Sequence, residues 1–344
     1  MKAVRIHEFG GVDKLRYEEA PDPELILGHV LVRVRACAMN HLDIWVRMGW
    51  RGGELPAPHI LGSDIAGEVV AVGVGVEGIP VGAKVIISPG LSCGRCLRCL
   101  AGDDNECSSY VIIGGRIGYN GGYAELVRVP AVNIISMPEN LTFEEAAAIP
   151  LVFLTAWHML VGRAHIQPGE DVLVQAAGSG VGSAAIQVAK LWGARVITTA
   201  SSDEKLEKAR RLGADHGINY TTVDFVEEVK KLTGGKGVEM VVDSVGAETF
   251  AKSVEALAHG GRLVTCGATA NPWTKLDLRN LYLRHVSLLG SHMGRKDELL
   301  QALKFFRTGQ LRPVVHQVLP LSEAAMAHQI MMDRKNFGKI VLKP

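Results

Sequence analysis

Neither sign of charge prevails in this chain of 344 residues, where Lys and Arg number 37 against 36 Asp and Glu. Such a balance supplies no basic field to hold a polyphosphate backbone, and nucleic acid is excluded as an expected partner. Long uninterrupted apolar runs are also missing. The most apolar long stretch, Val69 to Ser88, is broken by Gly73, Gly75, Gly78, Pro80 and Gly82 and carries Glu77 and Lys84, which a bilayer span does not readily accept. The first residues, with Lys2, Arg5 and Glu8, lack the apolar run of an export signal and read as a strand. Together these absences predict a cytoplasmic protein with no membrane partner. Cysteine is scarce: of six residues, Cys93, Cys96, Cys99 and Cys107 fall inside fifteen positions, while Cys37 and Cys266 stand alone. This distribution suits a metal clip in a reducing compartment better than a disulfide framework. Internal repeats and low-complexity segments are absent as well.

What is present is ample core material, with 47% hydrophobic residues, in a chain too long for one core. Before about residue 140 the rhythm is short strands between Gly and Pro. Val30, Val32 and Val34 alternate with their neighbours, as do Tyr123, Glu125, Val127 and Val129 with theirs, which predicts an antiparallel, barrel-like β domain. Thr142-Phe-Glu-Glu145 is a capping-box pattern opening a helix, and Thr155 to Arg163 continues as a second one. From Asp171 onward six apolar β-rich runs alternate with helical ones, ending with Ser287 to Leu289, the pattern of a doubly wound parallel sheet. The tail adds a helix from about Lys296, a strand Val314 to Leu319, a helix Glu323 to Arg334 and a strand Lys339 to Leu342, and is expected to rejoin the first domain. The fold class is therefore α/β, a β-barrel domain (1–150 with 300–344) and a nucleotide-binding domain (151–299).

Two segments compete for a phosphate-binding turn. Gly73, Gly75 and Gly78 spell G-x-G-x-x-G, but Ile79 and Pro80 follow, and no helix opens there to offer its N–H groups to a pyrophosphate. The segment Val172 to Lys190 has a buried strand before the turn and an Ala-rich helix after it. Ala177 and Ser179 take the first two fingerprint places and Gly182 the third, with Gly178, Gly180 and Val181 between them, so small residues stand wherever backbone must approach phosphate. The carboxylate expected roughly 20 residues on, to grip ribose hydroxyls, is missing. Thr198-Thr-Ala200 ends the strand and Ser201, Ser202 and Lys205 follow, groups able to donate to a 2′-phosphate. NADP(H) is accordingly favoured over NAD(H). Ser201 to Glu204 also reads as a capping box.

Cys93, Cys96, Cys99 and Cys107 are spaced by three, three and eight in a lobe (about 90–110) with few large apolar residues. Four thiolates suit tetrahedral zinc, and filling every position with protein makes one zinc per chain structural. Two disulfides or four unconnected thiols are the alternatives.

In this order of parts the chain resembles the medium-chain dehydrogenase/reductase superfamily, which contains zinc alcohol dehydrogenases and quinone oxidoreductases. The likeness is carried by Gly62-Ser-Asp-Ile-Ala-Gly67, Pro80-Val-Gly82-Ala-Lys-Val85, the cysteine lobe, Gly121-Gly-Tyr-Ala-Glu125, Ala177 to Gly182 and Phe337-Gly-Lys-Ile-Val-Leu342. It implies a GroES-like barrel with a Rossmann domain, a homodimer or homotetramer, and cofactor contacts at Thr155, Gly178 to Gly182, Lys205, Tyr220, Val245, Gly267, Ala268 and Ser291, with Arg334 and Lys339 near the cofactor phosphates.

One departure changes the expected chemistry. Where zinc alcohol dehydrogenases place catalytic-metal ligands, this chain has Asn40, Ser63 and Leu151, none a good zinc ligand. Asn40-His41-Leu-Asp43 is closer to the N-Y-R-D segment of zinc-free, quinone-oxidoreductase-like members. Without a Lewis acid, hydrogen-bond donors must hold a developing oxyanion, and Asn40 and His41 are the candidates, with Asp43 ordering the loop. Expected substrates are a small carbonyl, enone or quinone, their fit set by loops near Trp45 to Trp50, Trp157 and Trp273. A zinc enzyme with unusual ligands (Cys37, His41, His59 or Asp64) and a cofactor-binding redox sensor without turnover are the alternatives.

Overall fold

The structure, a computed structural model, describes residues 1–49, 52, 55 and 58–344. The chain forms two compact units, Met1–Leu151 with Pro313–Pro344, and Val152–Arg312. The return to the first unit thus comes at Pro313, later than the expected residue 300. The reason is packing: helix Lys296–Arg307 sets Phe306 edge-on to Phe153 at 4.7 Å, and its Glu298 bonds His158 at 2.8 Å. These contacts fix the helix in the second unit.

In the first unit, His29–Ala38 is the central strand. It pairs antiparallel with Asp64–Val72, Leu126–Pro130 and Lys339–Lys343. Val30, Val32 and Val34 face inward and are buried, as are Val127 and Val129, which is the expected alternation. The last two strands, Val315–Pro320 and Lys339–Lys343, run parallel to each other, because the helix Ala324–Met332 carries the chain back between them. Gly73, Gly75 and Gly78 lie after Asp64–Val72 in a turn, with no helix following. The helix Phe143–Ala147 opens on the predicted capping box: Glu145 N–H donates to Thr142 Oγ1 at 3.2 Å, and Thr142 N–H donates to Glu145 Oε2 at 2.9 Å.

The second unit is a six-stranded parallel sheet in the order His216–Asn219, Arg195–Ala200, Asp171–Val174, Val238–Asp243, Leu257–Thr265, Ser287–Gly290. Strand order reverses direction between Asp171–Val174 and Val238–Asp243. That switch point is where open parallel sheets leave a crevice for ligands at their carboxyl ends. One expectation needs correction here. The second helical stretch is an α-helix, Pro150–Trp157, that widens into a π-helix, His158–Arg163. Cys266 lies one residue past the strand Leu257–Thr265 and is half-buried. Among the described residues no helix is long and apolar enough to cross a membrane.

Candidate active site and metal lobe

In the first unit, Asn40 caps helix His41–Arg47 and is 5% exposed. Its backbone N–H donates to Asp43 Oδ2 at 2.7 Å, which closes the helix start in the manner of a capping box. Its side-chain Nδ2 donates to Asp64 Oδ2 at 2.9 Å, and its Oδ1 accepts from the Lys339 ammonium. Lys339 Nζ also reaches Asp64 Oδ2 at 2.8 Å, while Asp64 Oδ1 accepts from Leu151 N–H at 2.7 Å. Asp64 is therefore the hub that gathers Asn40 and Leu151, two of the three positions at which the resemblance puts metal ligands. The third, Ser63, is wholly buried, and among the described residues its hydroxyl has no partner. An amide, a hydroxyl and a backbone N–H offer a divalent cation no thiolate or imidazole, and a lysine ammonium already occupies the carboxylate. The donor set does not fit a catalytic zinc.

Lys339, which the resemblance puts near the cofactor phosphates, is bonded within this cluster and is 3% exposed. His41 stacks edge-on with Trp45 at 5.3 Å. Burial, and then the charge of Arg334, lowers its pKa, so the ring is neutral at pH 7. Asp43 is fully buried and holds three donors, Asn40 N–H, Gly62 N–H at 3.1 Å and the Tyr123 hydroxyl at 3.2 Å, which orders the loop. Of the tryptophans expected to shape the substrate region, Trp157 is a core residue packed on Trp192, Trp273 is exposed, and Trp50 lies outside the described residues.

The sulfurs of Cys93, Cys96, Cys99 and Cys107 all lie within 4.8 Å of one another. Cys96 and Cys99 are 3.5 Å apart and Cys93 and Cys99 3.9 Å. Thiolates bound tetrahedrally at about 2.3 Å from zinc stand about 3.8 Å apart, so the four fit that ion. Backbone N–H groups of Arg95 and Cys96 bring the Cys93 thiol down to about 6, and Cys107 Sγ accepts from the N–H groups of Cys93 and Ser109. Among the described residues no other cluster of three or more such ligands occurs. In particular, His59 bonds the Gly114 carbonyl at 3.1 Å and joins no cluster with Cys37, His41 or Asp64.

In the second unit the nominated cofactor residues line the carboxyl ends of all six strands. Gly178, Ser179, Gly180, Val181 and Gly182 follow Asp171–Val174, and Ser201 and Ser202 follow Arg195–Ala200. Tyr220, Val245, Gly267 with Ala268, and Ser291 stand at the remaining four ends. Ser179 caps helix Gly180–Leu191 by accepting from Gly182 N–H at 2.8 Å. A Cβ at Gly182 would fall 2.2 Å from the Ala176 carbonyl oxygen, so only glycine permits this turn to close. Beyond the second strand the cap is Ser202, whose hydroxyl oxygen accepts from Lys205 N–H at 3.3 Å; the capping box expected from Ser201 starts one residue later. Thr155 is buried in helix Pro150–Trp157.

Sequence reasoning missed Asp243. Its carboxylate accepts from the N–H groups of Val245 and Gly246 and from the hydroxyls of Thr249 and Ser253, which fixes the turn presenting Val245. An acidic residue closing the apolar run Met240-Val-Val242 was the available signal. Asp64 carries the same signal in the first unit, a carboxylate inside an apolar Gly-rich segment.

A capped glycine turn at the switch point of a parallel sheet, joined in one chain to an antiparallel β unit with a four-cysteine lobe, defines a dinucleotide-dependent oxidoreductase architecture. The comparisons make the family specific. The family model described as alcohol dehydrogenase GroES-like domain matches residues 27–139, and that described as zinc-binding dehydrogenase matches 180–308. A crystal structure of an NAD-dependent alcohol dehydrogenase superposes with a TM-score of 0.97 at 51% identity over the whole of both chains. An NAD-dependent alcohol dehydrogenase of Sulfolobus acidocaldarius is 34% identical across 100% of this chain and 99% of its own, and a quinone oxidoreductase of Sus scrofa 31% identical across 99% and 97%. The chain belongs to the medium-chain dehydrogenase/reductase superfamily and is an alcohol-dehydrogenase-like oxidoreductase.

Proposed function

We propose that this protein is an NAD(P)-dependent reductase of a small carbonyl, enone or quinone, holding one structural zinc in its cysteine lobe and working without a catalytic zinc. The observation that carries the reading is the Lys339 ammonium, bound by Asp64 and Asn40 at the place where the family's zinc enzymes assemble their ligands.

A bound nicotinamide supplies hydride from its C4 to an electrophilic carbon. The chain must then meet the negative charge left on the substrate oxygen with donors already in position. Asn40 has given one amide N–H to Asp64 and keeps the other, Lys339 has used two of its three N–H groups, and neutral His41 keeps one ring N–H. Such donors suit an enolate or quinol oxygen, which is less basic than an alkoxide, so activated C=C bonds and quinones are favoured over simple alcohols. In the second unit the Gly180 helix start would receive the pyrophosphate. NADP(H) is favoured over NAD(H), because the Arg195–Ala200 strand ends without a carboxylate and the Ser202 hydroxyl, though its oxygen caps the helix, keeps its own proton to donate. NAD(H) is the second reading, supported by relatives named as NAD-dependent. A cytoplasmic homodimer or homotetramer accompanies the proposal.

Elemental analysis together with NADPH and NADH oxidation against a panel of enones, quinones and aldehydes tests it. One zinc per chain and turnover with enones or quinones are expected. Two zincs per chain would overturn the metal-free mechanism, and a lower KM for NADH would overturn the cofactor preference.

A further inference from the structure

Among its described residues the first unit buries four side chains of formal charge, Asp43, Arg47, Asp64 and Lys339, and of these only Asp64 and Lys339 touch. Lys339 neutralises Asp64 directly. Asp43 has no cation in contact, and Arg47, wholly buried, has no carboxylate in contact among the described residues. Between them runs a chain of buried groups: Arg47 Nη1 lies 3.4 Å from His328 Nδ1, His328 Nε2 lies 3.4 Å from the Tyr123 hydroxyl, and that hydroxyl lies 3.2 Å from Asp43 Oδ2. The direction of each bond is determined by chemistry. A guanidinium only donates, so His328 Nδ1 must accept and the ring proton must sit on Nε2. That proton points at the Tyr123 oxygen, whose own proton is left for the carboxylate.

We propose that Arg47, His328 and Tyr123 form a one-way hydrogen-bond relay that delivers counter-charge to Asp43 and thereby positions the Asn40 turn, making His328 and Tyr123 positioning residues of the site. Two further observations fit. Asp43 takes the Asn40 backbone N–H, so whatever holds this carboxylate holds the residue whose amide faces Lys339 and Asp64. His328 sits on helix Ala324–Met332, so the relay ties the start of helix His41–Arg47 to the segment that leads into the Lys339 strand. Burial pushes the His328 pKa down to about 3, with Arg47 and His41 adding to the effect, and the ring therefore stays neutral across the physiological range. The other charged or titratable groups facing the relay are Lys339, Asp64 and Cys37 around Asp43, and Asp13 around Arg47.

The structural half of the proposal stands alone, whereas its kinetic half rests on the reductase reading. Nitrogen NMR of histidine-labelled full-length protein reads the first: His328 is expected as an Nε2–H tautomer that does not titrate between about pH 5 and 8. An Nδ1–H tautomer, or titration near pH 6.5, would overturn the relay whether or not any substrate is turned over. Kinetics read the second. Tyr123→Phe is expected to lower kcat about tenfold and to move the acid limb of its pH profile upward by about one unit, with the dissociation constant for NADPH unchanged. His328→Gln, which is able to accept from Arg47 and donate to Tyr123, is expected to retain the wild-type profile, and His328→Phe to lose it. Loss of activity in all three with no movement of the acid limb would reduce these residues to packing and overturn the positioning role.

Discussion

The ammonium of Lys339 lies 2.8 Å from Oδ2 of Asp64, with the two side chains 3% and 0% exposed. Neither charge has water to fall back on, so each depends on the other and on Asn40, whose amide bonds both. Removing one partner strands a buried charge, a loss of about 3–5 kcal/mol. Lys339→Met is therefore expected to lower the unfolding free energy measured by urea titration by that amount, and Lys339→Met combined with Asp64→Leu to be less destabilised than the single variant. A single-variant cost below about 1 kcal/mol would mean that the pair is as weak as a surface one.

Gly182→Ala tests the phosphate turn. The added methyl meets the Ala176 carbonyl at 2.2 Å, and Ala176 is itself held at φ 58°, so the turn has no slack in which to shift. The variant is expected to bind NADPH at least tenfold more weakly by calorimetry, a loss of about 1.4 kcal/mol or more. Unchanged affinity would move the pyrophosphate away from this helix start.

The two halves of the molecule were unequally legible. The parallel sheet could be read because each strand is a local apolar run and each helix follows within a short loop, so Asp171–Val174 and Gly180–Leu191 announce the turn between them. The cysteine lobe was equally local. The Asn40–Asp64–Lys339 cluster was not, because Lys339 stands 299 residues from Asn40 and 275 from Asp64 and meets them only once its strand pairs with His29–Ala38. A lysine in Gly338-Lys-Ile-Val looks like any strand-edge cation, and no periodicity says that its ammonium points inward. Arg47 and His328 were hidden for the same reason, as polar residues of helices whose buried partners come from elsewhere in the chain.

The four cysteines are expected to release one zinc per chain to a strong chelator. Because the lobe has few large apolar residues, its order is expected to depend on the proposed metal, whose binding in comparable sites contributes about 10–16 kcal/mol. Chelation, or Cys107→Ser at the one buried ligand, is expected to lower the thermal midpoint and to expose residues 93–107 to proteolysis. A chain that keeps its midpoint on chelation and contains no zinc would assign these cysteines to free thiols or disulfides.

Asp43 makes stability depend on pH in the opposite sense from an ordinary salt-bridged carboxylate. Burial raises its pKa from 3.8 to about 6, against the lowering effects of Asn40 N–H, Lys339 and Gly62 N–H, and Asp64 adds to the rise. The folded chain therefore binds this proton more tightly than the unfolded chain does. The contribution is complete below pH 3.8 and is lost as pH rises through about 6, amounting to about 3 kcal/mol at about 1.4 kcal/mol per unit. Asp43→Asn, close in shape to the protonated acid, cannot titrate. Unfolding free energies of both proteins measured from pH 4 to 7 isolate the effect, since the other carboxylates cancel in the difference. The wild type should lose ground to the variant by up to about 3 kcal/mol across that interval. A difference that stays flat, or moves the other way, would mean that the relay from Arg47 through His328 and Tyr123 compensates Asp43 more fully than its burial destabilises it.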